Sequence, residues 1–497
     1  MEHLVLVTVD GEGRLAERGS TVAALIPSLS LPCGGGGRCG KCRVLASGAL
    51  SPVDEAERAH LTADQLASGM RLACRAVVLG PCSVTTLRED AAPPLPPSAP
   101  VLFCEDAAQG YGAAVDLGTT TLVLRLFTPS GRAVIERACP NPQRAYGADV
   151  ISRIEAAMAG KAEALTAAVR GGIDALLCDG AREAGISPRA VTSAVITGNT
   201  AMLCLLAGID PAPLSRAPFS LPDWFGREWT AEALGIASLA PTVPIYLPPV
   251  LSPFVGGDTA CALLAADLKS GQMLCDVGTN GEVALRVGER LLVCSCAAGP
   301  AMEGATVGCG MSGEKGAIDR VMLIDGALRF HVIGEGEPKG ICASGLIDAL
   351  DALYRRGDLS ESGYAEGGEI ALFPSIVLTG EEIRALLSAK SAVCAAMCSL
   401  LHACDRSVEQ IDRLVLAGGL GSRLNPRSAV RIGLIPPIPI DRIDAVGNAA
   451  LEGAQMLLLR PSLRRRVEEE ATKAEVVEIA TDPFFADAFV KGLTLAP

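Results

Sequence analysis

Aromatic residues and histidines are scarce in this 497-residue sequence, and long basic or apolar runs are missing from it. Aromatic residues make up 3% of it, so the core must be built mainly from Ala, Leu, Val and Ile. The four histidines are scattered and suggest no histidine-based metal site. No basic run is longer than Arg464-Arg465-Arg466 and the net charge is −13, which argues against duplex nucleic acid as a partner. No uninterrupted apolar run reaches about 18 residues, so no membrane partner or membrane span is expected.

The chain also lacks the features of a secreted protein. Its start, Met1-Glu-His-Leu-Val-Leu-Val, carries an acidic residue and continues directly into a strand-like segment, unlike a signal peptide. Eighteen cysteines in a chain of this length do not form the dense framework of a small disulfide-rich domain. They fit a reducing cytoplasm, where thiols stay free or bind iron, and a cytoplasmic location is therefore expected.

Three cysteines lie in one glycine-rich segment, Cys33-Gly-Gly-Gly-Gly-Arg-Cys39-Gly-Lys-Cys42, and a fourth, Cys74, follows downstream. Four thiolates can hold a [2Fe–2S] cluster, and a C-x5-C-x2-C triad must fold around one inorganic core. Glycines allow this because they tolerate positive φ and carry no Cβ. The sequence therefore predicts a [2Fe–2S] cluster with Cys33, Cys39, Cys42 and Cys74 as ligands.

Two alternatives to this ligand set remain open. A structural zinc site usually combines two C-x2-C pairs, whereas this region has one. Cys82 is the rival for the fourth ligand position, but it ends a strand-like stretch and is interpreted as structural.

The pattern of turns and apolar stretches divides the chain into three parts. Residues 1–87 predict a small domain with a hairpin, a short helix before the cysteines and two later strands, an arrangement typical of a β-grasp fold. Residues 88–110 form a linker, in which Pro93–Pro100 contains five prolines in eight residues. Such a segment is a semi-rigid spacer, and it acts either as a simple boundary or as a tether for the first domain. Residues 111–497 alternate strands and helices, as α/β domains do.

Two strand–turn–strand units in the third part resemble each other. One contains Asp116, Gly118, Thr119 and Thr120, and the other contains Asp276, Gly278, Thr279 and Asn280. Glycine lets the backbone approach a phosphate, the turn donates N–H and hydroxyl hydrogen bonds, and the aspartate can hold Mg²⁺. A third glycine turn, Gly418-Gly419, follows an apolar strand and suits the nucleoside. The repeat suggests two related lobes, about 111–265 and 266–497.

Several single residues are weaker candidates. Asp149 and Asp258 are predicted to orient water or Mg²⁺, although an aspartate near a helix start is also a common cap. Lys390 is a candidate phosphate contact, with a solvated lysine as the alternative. Cys394 and Cys398 are one helical turn apart and are expected to pack in the core.

The three glycine turns together resemble the acetate kinase/sugar kinase/Hsp70/actin superfamily. With the cysteine segment in front, the chain resembles the reductive activators of corrinoid proteins over nearly its whole length. The resemblance implies an α/β multidomain protein: a β-grasp 2Fe-2S ferredoxin-like domain followed by two RNase H-like lobes that bind ATP and Mg²⁺. It also implies an ATP-hydrolysing activase with three kinds of partner: a low-potential electron donor, a corrinoid protein of a methyltransferase system and, as one allowed arrangement, a second copy of the chain.

The implied activity is reduction of inactive cob(II)alamin to cob(I)alamin. Three other functions remain open. They are a redox ATPase that activates a different metalloenzyme, a small-molecule kinase with a regulatory cluster, and an electron-transfer module with an inactive nucleotide site. A phosphorylated product would favour the kinase, and a lack of ATPase activity with every partner would favour the module.

Overall fold

A computed structural model describes residues 4–26, 29, 31, 35–86, 110–303, 307–374, 376–421 and 423–495. Two predictions therefore lie outside the described residues. They are the ligand role of Cys33 and the proline-rich spacer Pro93–Pro100.

The first domain is a five-stranded sheet with strand order β2-β1-β5-β3-β4, the order of a β-grasp fold. The predicted hairpin of β1 and β2 is antiparallel, and β1 pairs in parallel with β5. The predicted helix before the cysteines is a short 3-10 turn, Val22–Leu25. Its elements are β1 (Leu4–Val9), β2 (Glu12–Glu17), β3 (Arg43–Leu50), α1 (Glu55–His60), α2 (Ala63–Ala67), β4 (Met70–Leu72) and β5 (Val78–Thr86).

The first lobe of the larger region is built on a six-stranded sheet with strand order β10-β11-β9-β6-β7-β8. Helices α3, α4 and α5 pack against one face of it and enclose an aliphatic core. The elements are β6 (Tyr111–Leu117), β7 (Thr121–Phe127), β8 (Ala133–Pro140), α3 (Val150–Ala156), α4 (Ala162–Glu183), β9 (Val191–Gly198), α5 (Thr200–Ala207), β10 (Arg227–Thr230), β11 (Pro244–Leu247) and α6 (Gly257–Ala266).

The second lobe contains another six-stranded sheet, with strand order β21-β20-β12-β13-β14-β22, and two small sheets. Its first half comprises β12 (Gln272–Val277), β13 (Gly281–Val287), β14 (Arg290–Cys296), β15 (Ala317–Ile324), β16 (Ala327–Val332), β17 (Gly340–Ile341), α7 (Ala343–Arg356), β18 (Glu369–Phe373), β19 (Ile376–Thr379) and α8 (Gly380–His402). The remainder comprises β20 (Arg413–Ala417), α9 (Gly418–Gly421), α10 (Pro426–Arg431), β21 (Ile443–Ala445), α11 (Ala449–Leu459), α12 (Leu463–Lys473), β22 (Glu475–Val476) and α13 (Pro483–Lys491).

The two large sheets share one plan. In each, three antiparallel strands connected by hairpins are followed by a strand that pairs in parallel with the first of them. Strands β6, β7, β8 and β9 of the first lobe thus correspond to β12, β13, β14 and β20 of the second. The similarity between the segments around Asp116 and Asp276 in the sequence therefore belongs to a repeat of four strands in each lobe.

A helical layer lies between the two sheets. Helices α6 and α11 share a core cluster with side chains of both sheets, such as Phe127 and Leu274. The two helices approach closely at Gly453, where a Cβ would lie 2.0 Å from the carbonyl oxygen of Cys261. A glycine at this point therefore sets the distance between the helices.

Among the described residues, α8 alone has the length and apolar composition of a membrane-spanning helix, and 72% of its apolar window is buried inside the protein. Lys390 and Ser391 interrupt its apolar residues in the sequence. Its buried side chains belong to the core of the second lobe, whereas Cys394 and Cys398, one turn apart, are half-buried and are not members of that core cluster. The helix therefore has the surroundings of a core helix.

Candidate functional site

Two of the cysteines predicted to bind the cluster meet at the end of the small domain. Cys42, just before β3, and Cys74, just after β4, are buried, and their sulfur atoms lie 3.2 Å apart. The neighbouring Cys74 sulfur lowers the pKa of Cys42 to about 7. Cys39 is half-buried in the same loop, whose Gly35, Gly37 and Gly40 all have positive φ. Converging sulfurs with one thiol close to ionisation at neutral pH fit a thiolate-ligated cluster.

A buried ion pair supports the position of Cys74. Arg71 of β4 donates to the Glu57 carboxylate of α1 at 2.8 Å, and the N–H of Leu72 donates to the same carboxylate at 3.0 Å. Burial alone would raise the pKa of Glu57, but these hydrogen bonds lower it below its ordinary value. The pair links α1 to the strand that leads into Cys74, and sequence reasoning did not identify it.

Cys82 has a different environment. It lies in the middle of β5, opposite Gly48 of β3, and belongs to the core of the small domain. Burial raises its pKa, which disfavours the thiolate that a metal needs. The structure thus brings Cys74, and not Cys82, into contact with Cys42.

The second site is a cleft of about 530 Å³ between the two lobes, a volume in the range of small-molecule sites. Asp116 is the penultimate residue of β6 and Asp276 the penultimate residue of β12. The predicted residues that line this cleft are Asp116, Gly118, Thr119, Thr120, Asp258, Asp276, Gly278, Thr279, Asn280, Gly418 and Gly419. The three glycine turns, which are far apart in the sequence, therefore meet at one cavity.

Four carboxyl groups face one another in this cleft: those of Asp116, Asp258, Asp276 and Glu282. Burial raises the pKa of Asp116 to about 7, and the charge of Asp258 adds to this effect. The hydrogen bond from Asn448 acts in the opposite direction and lowers the pKa. Burial and the charges of Asp258 and Asp116 raise the pKa of Asp276 to about 7. Burial raises the pKa of Asp258 to about 6, and burial with its acidic neighbours raises that of Glu282 well above its ordinary value. Oxygen ligands that repel each other in this way fit a hard divalent cation such as Mg²⁺.

Asparagines from distant segments hold the first turn in place. Asn448, the N-cap of α11, donates to Asp116 Oδ2 at 2.6 Å, and Asn199, the N-cap of α5, donates to Thr119 Oγ1 at 3.0 Å. Buried Asn141 donates to the carbonyl of Gly118 at 2.8 Å. These asparagines are far from the first turn in the sequence, and only the fold shows what each contacts.

Gly418 is required by geometry. Its φ is +84°, and a Cβ would lie 2.2 Å from Asp276 Oδ1. Any other residue would be strained and would collide with the carboxylate. The third glycine turn therefore packs directly against the aspartate of the second.

Two of the weaker candidates lie elsewhere. Asp149 is the N-cap of α3, where its carboxylate accepts from the N–H of Ser152 at 2.8 Å, and it does not line the cleft. Lys390 is buried and donates to the carbonyls of Gly492 at 2.7 Å and Thr494 at 2.5 Å. Burial lowers the pKa of Lys390 to about 8. Lys390 therefore holds the segment after α13, and the expectation of a phosphate contact or a solvated lysine does not describe it.

Three protein-family models match the chain, one within the small domain and two that together cover the two lobes. Residues 7–79 match the 2Fe-2S iron-sulfur cluster binding domain. Residues 111–271 match the RACo middle region, and residues 270–497 match the C-terminal domain of RACo, the ASKHA domain. The chain therefore belongs to the RACo family, and the predicted fold class is confirmed.

Individual relatives agree with this assignment. The chain is 29% identical over 418 residues to the corrinoid activation enzyme RamQ of Eubacterium limosum, covering 76% of this chain and 69% of that protein. It is 27% identical over 273 residues to the [Co(II) methylated amine-specific corrinoid protein] reductase of Methanosarcina barkeri, covering 50% of each chain. The solved structure of a reductive activator for corrinoid, iron-sulfur protein is 26% identical, with a TM-score of 0.72 and coverage of 99% of this chain and 98% of that one.

Proposed function

We propose that this chain is an ATP-dependent reductive activator, which passes one electron from a low-potential donor to the cob(II)alamin of a corrinoid protein in a methyltransferase system. The product is cob(I)alamin, the form that accepts a methyl group. The observation that carries the proposal is the combination, in one chain, of converging cysteine sulfurs and a carboxylate-lined cleft between two lobes. The names of the relatives, which refer to corrinoid activation and corrinoid protein reduction, supply the partner.

The cysteines have one task in this function. A bound [2Fe–2S] cluster supplies one-electron transfer, at about −400 mV for plant-type ferredoxins. Cys39, Cys42 and Cys74 are its proposed ligands, together with Cys33. The Glu57–Arg71 pair holds the strand that leads into Cys74, whose sulfur contacts that of Cys42.

The cleft residues bind Mg²⁺ and the phosphates of ATP. Asp116 and Asp276 are the proposed metal ligands, and the hydroxyl groups of Thr119 and Thr279 donate to phosphate oxygens. Asn448 orients Asp116. With a pKa of about 6, Asp258 is suited to accept a proton from an attacking water near neutral pH. Positioning and charge neutralisation suffice for phosphoryl transfer to water.

The cleft also explains how ATP use can drive a reduction. Asp116 belongs to the sheet of the first lobe and Asp276 to that of the second. A nucleotide held by both favours the closed arrangement of the lobes, and it can alter affinity for the corrinoid partner if that partner binds the two arrangements differently.

The test is an anaerobic reduction assay with a corrinoid protein loaded with cob(II)alamin. The full chain with reductant and Mg-ATP should convert the cob(II)alamin spectrum to that of cob(I)alamin, whereas reductant alone should give only marginal conversion. Asp276→Asn should abolish the ATP-dependent part. Asp149→Asn, a substitution outside the cleft that preserves a good helix cap, should not. Equal reduction with and without ATP would contradict the proposal, and a stoichiometric phosphorylated small molecule would favour a kinase.

A further inference from the structure

The loop that carries the cysteines contacts the second lobe. Lys41, between Cys39 and Cys42, donates to the carbonyl oxygen of Val307 at 2.8 Å. The same Nζ lies 3.3 Å from the carbonyl oxygen of Gly310 and 3.4 Å from that of Gly308. An ammonium group has three N–H donors, so one side chain can engage three carbonyls. A single lysine thus connects the cysteine loop to a segment more than 260 residues away in the sequence.

The contacted segment is also a wall of the cleft. Gly310 and the following residues Met311, Ser312 and Gly313 line the cavity that contains Asp116 and Asp276, and Lys41 lines it too. The segment is therefore in contact with the cysteine loop and with the space proposed for the nucleotide.

Hydrogen bonds from the rest of the lobe hold this wall. The N–H of Gly308 donates to the Glu382 carboxylate. The N–H of Ile341 donates to the carbonyl of Cys309 at 2.9 Å, and Arg423 donates to the carbonyl of Gly313 at 3.1 Å. A well-anchored wall transmits a change on one side to the other more directly than a loosely held loop does.

We propose that the Lys41 contact couples the cluster-binding domain to the nucleotide: an anionic nucleotide in the cleft and docking of the cysteine loop strengthen each other. This inference rests on the proposed nucleotide binding. Phosphate charge in the cavity attracts an ammonium group in its wall, and that ammonium is covalently part of the cluster-binding loop. Linkage makes the effect reciprocal, so docking tightens nucleotide binding by the same factor.

The proposed coupling also changes the midpoint potential of the cluster. A negative charge near a redox centre disfavours the addition of another electron. Docking against a nucleotide-filled cleft therefore lowers the midpoint potential of the cluster and makes its reduced form a stronger reductant. The contact gives the chain a way to use nucleotide binding, before any hydrolysis, to favour an uphill transfer.

The test uses the full chain, purified anaerobically, with iron content checked first. Lys41→Met removes the charge and keeps much of the side-chain length, and Lys41→Arg keeps the charge. Arg38→Met is the matched control, because Arg38 is an exposed cation in the same loop. Two quantities are measured for each protein. The first is the Kd of the chain for a non-hydrolysable ATP analogue in the presence of Mg²⁺. The second is the midpoint potential of the cluster with and without that analogue.

Lys41→Met should raise the Kd at least about fivefold, the lower end of typical coupling, and should abolish the analogue-dependent fall in potential. Lys41→Arg should recover part of both effects, and Arg38→Met should keep both. If Lys41→Met loses iron, Lys41→Gln carries the same expectation. Wild-type values of both quantities in a charge-removed variant would overturn the coupling but leave the proposed function intact. Failure of the wild type to bind the analogue would overturn both.

Discussion

At the scale of single residues, the cluster site depends on which cysteines reach one another. Cys42 and Cys74 are in sulfur–sulfur contact, whereas Cys82 lies within a strand of the same small core. Spacing along the chain could not decide between Cys74 and Cys82, because both follow the triad at plausible distances. The choice depends on the fold, which places Cys74 in the turn after β4, beside Cys42, and Cys82 in the middle of β5.

The first prediction tests this choice. Cys74→Ala should lose the cluster, because one of four thiolates is missing, while Cys82→Ala should keep it. The measurements are iron content, with about two irons per chain expected for the wild type, and the EPR signal of the reduced protein. A normal signal in Cys74→Ala together with a lost signal in Cys82→Ala would reverse the ligand assignment.

The cleft carboxylates make a second prediction, about pH. Asp116 has a pKa of about 7 in the folded chain, above its ordinary value of 3.8. The folded state therefore binds more protons than the unfolded state between about pH 4 and pH 7. The contribution of this group to stability falls as pH rises through that window and levels off above it. The proposed Mg²⁺ site needs ionised carboxylates, so stabilisation by Mg²⁺ should grow between about pH 6 and pH 8.

The measurement is thermal and urea unfolding between pH 5.5 and pH 8.5, with and without Mg²⁺. Without Mg²⁺, the difference in unfolding free energy between Asp116→Asn and wild type should move in favour of the variant as pH rises, by on the order of 1–3 kcal/mol. The variant should also lose most of its response to Mg²⁺. Asp149→Asn should follow the wild type in both respects. A wild-type pH profile in Asp116→Asn would show that this carboxyl group is already ionised in the folded chain.

At the scale of secondary-structure elements, local patterns were predictable and long-range pairs were not. The hairpins that contain Asp116 and Asp276 follow from apolar strands and from turn residues within ten positions of each other. The strand before Gly418 is visible for the same reason. Asn448, however, reaches Asp116 across 332 residues, and no local pattern reveals that contact.

Helix caps show the same limit. Asp149 and Asp258 both lie near the start of a helix, and the sequence pattern predicts the same role for both. The structure separates them because α3 begins away from the cleft, while α6 begins between the two lobes.

The contacts of Lys390 were also hidden in the sequence. Its position in an apolar helix gave no indication that the segment after α13 lies over it.

At the scale of the whole molecule, the two lobes are held in register by the helical layer between them. Asn448 begins α11 and contacts Asp116 of the first sheet, while the side chains of α11 pack among residues of both sheets. A change in the spacing of α6 and α11 should therefore alter how Asp116 and Asp276 face each other. At Gly453, the addition of one Cβ atom would push the two helices apart.

Gly453→Ala should destabilise the two-lobed region by about 1–3 kcal/mol, because its Cβ would collide with the carbonyl of Cys261 and the helices must separate. It should also weaken Mg-nucleotide binding, while the iron content and the EPR signal of the separate small domain stay unchanged. Gly171→Ala is the matched control, since a Cβ there meets nothing within 4 Å, and alanine in place of a helical glycine should stabilise by about 0.5–1 kcal/mol. Calorimetric unfolding and nucleotide titration measure both effects. If Gly453→Ala lost stability but bound nucleotide as tightly as the wild type, helix spacing would not set the alignment of the two aspartates.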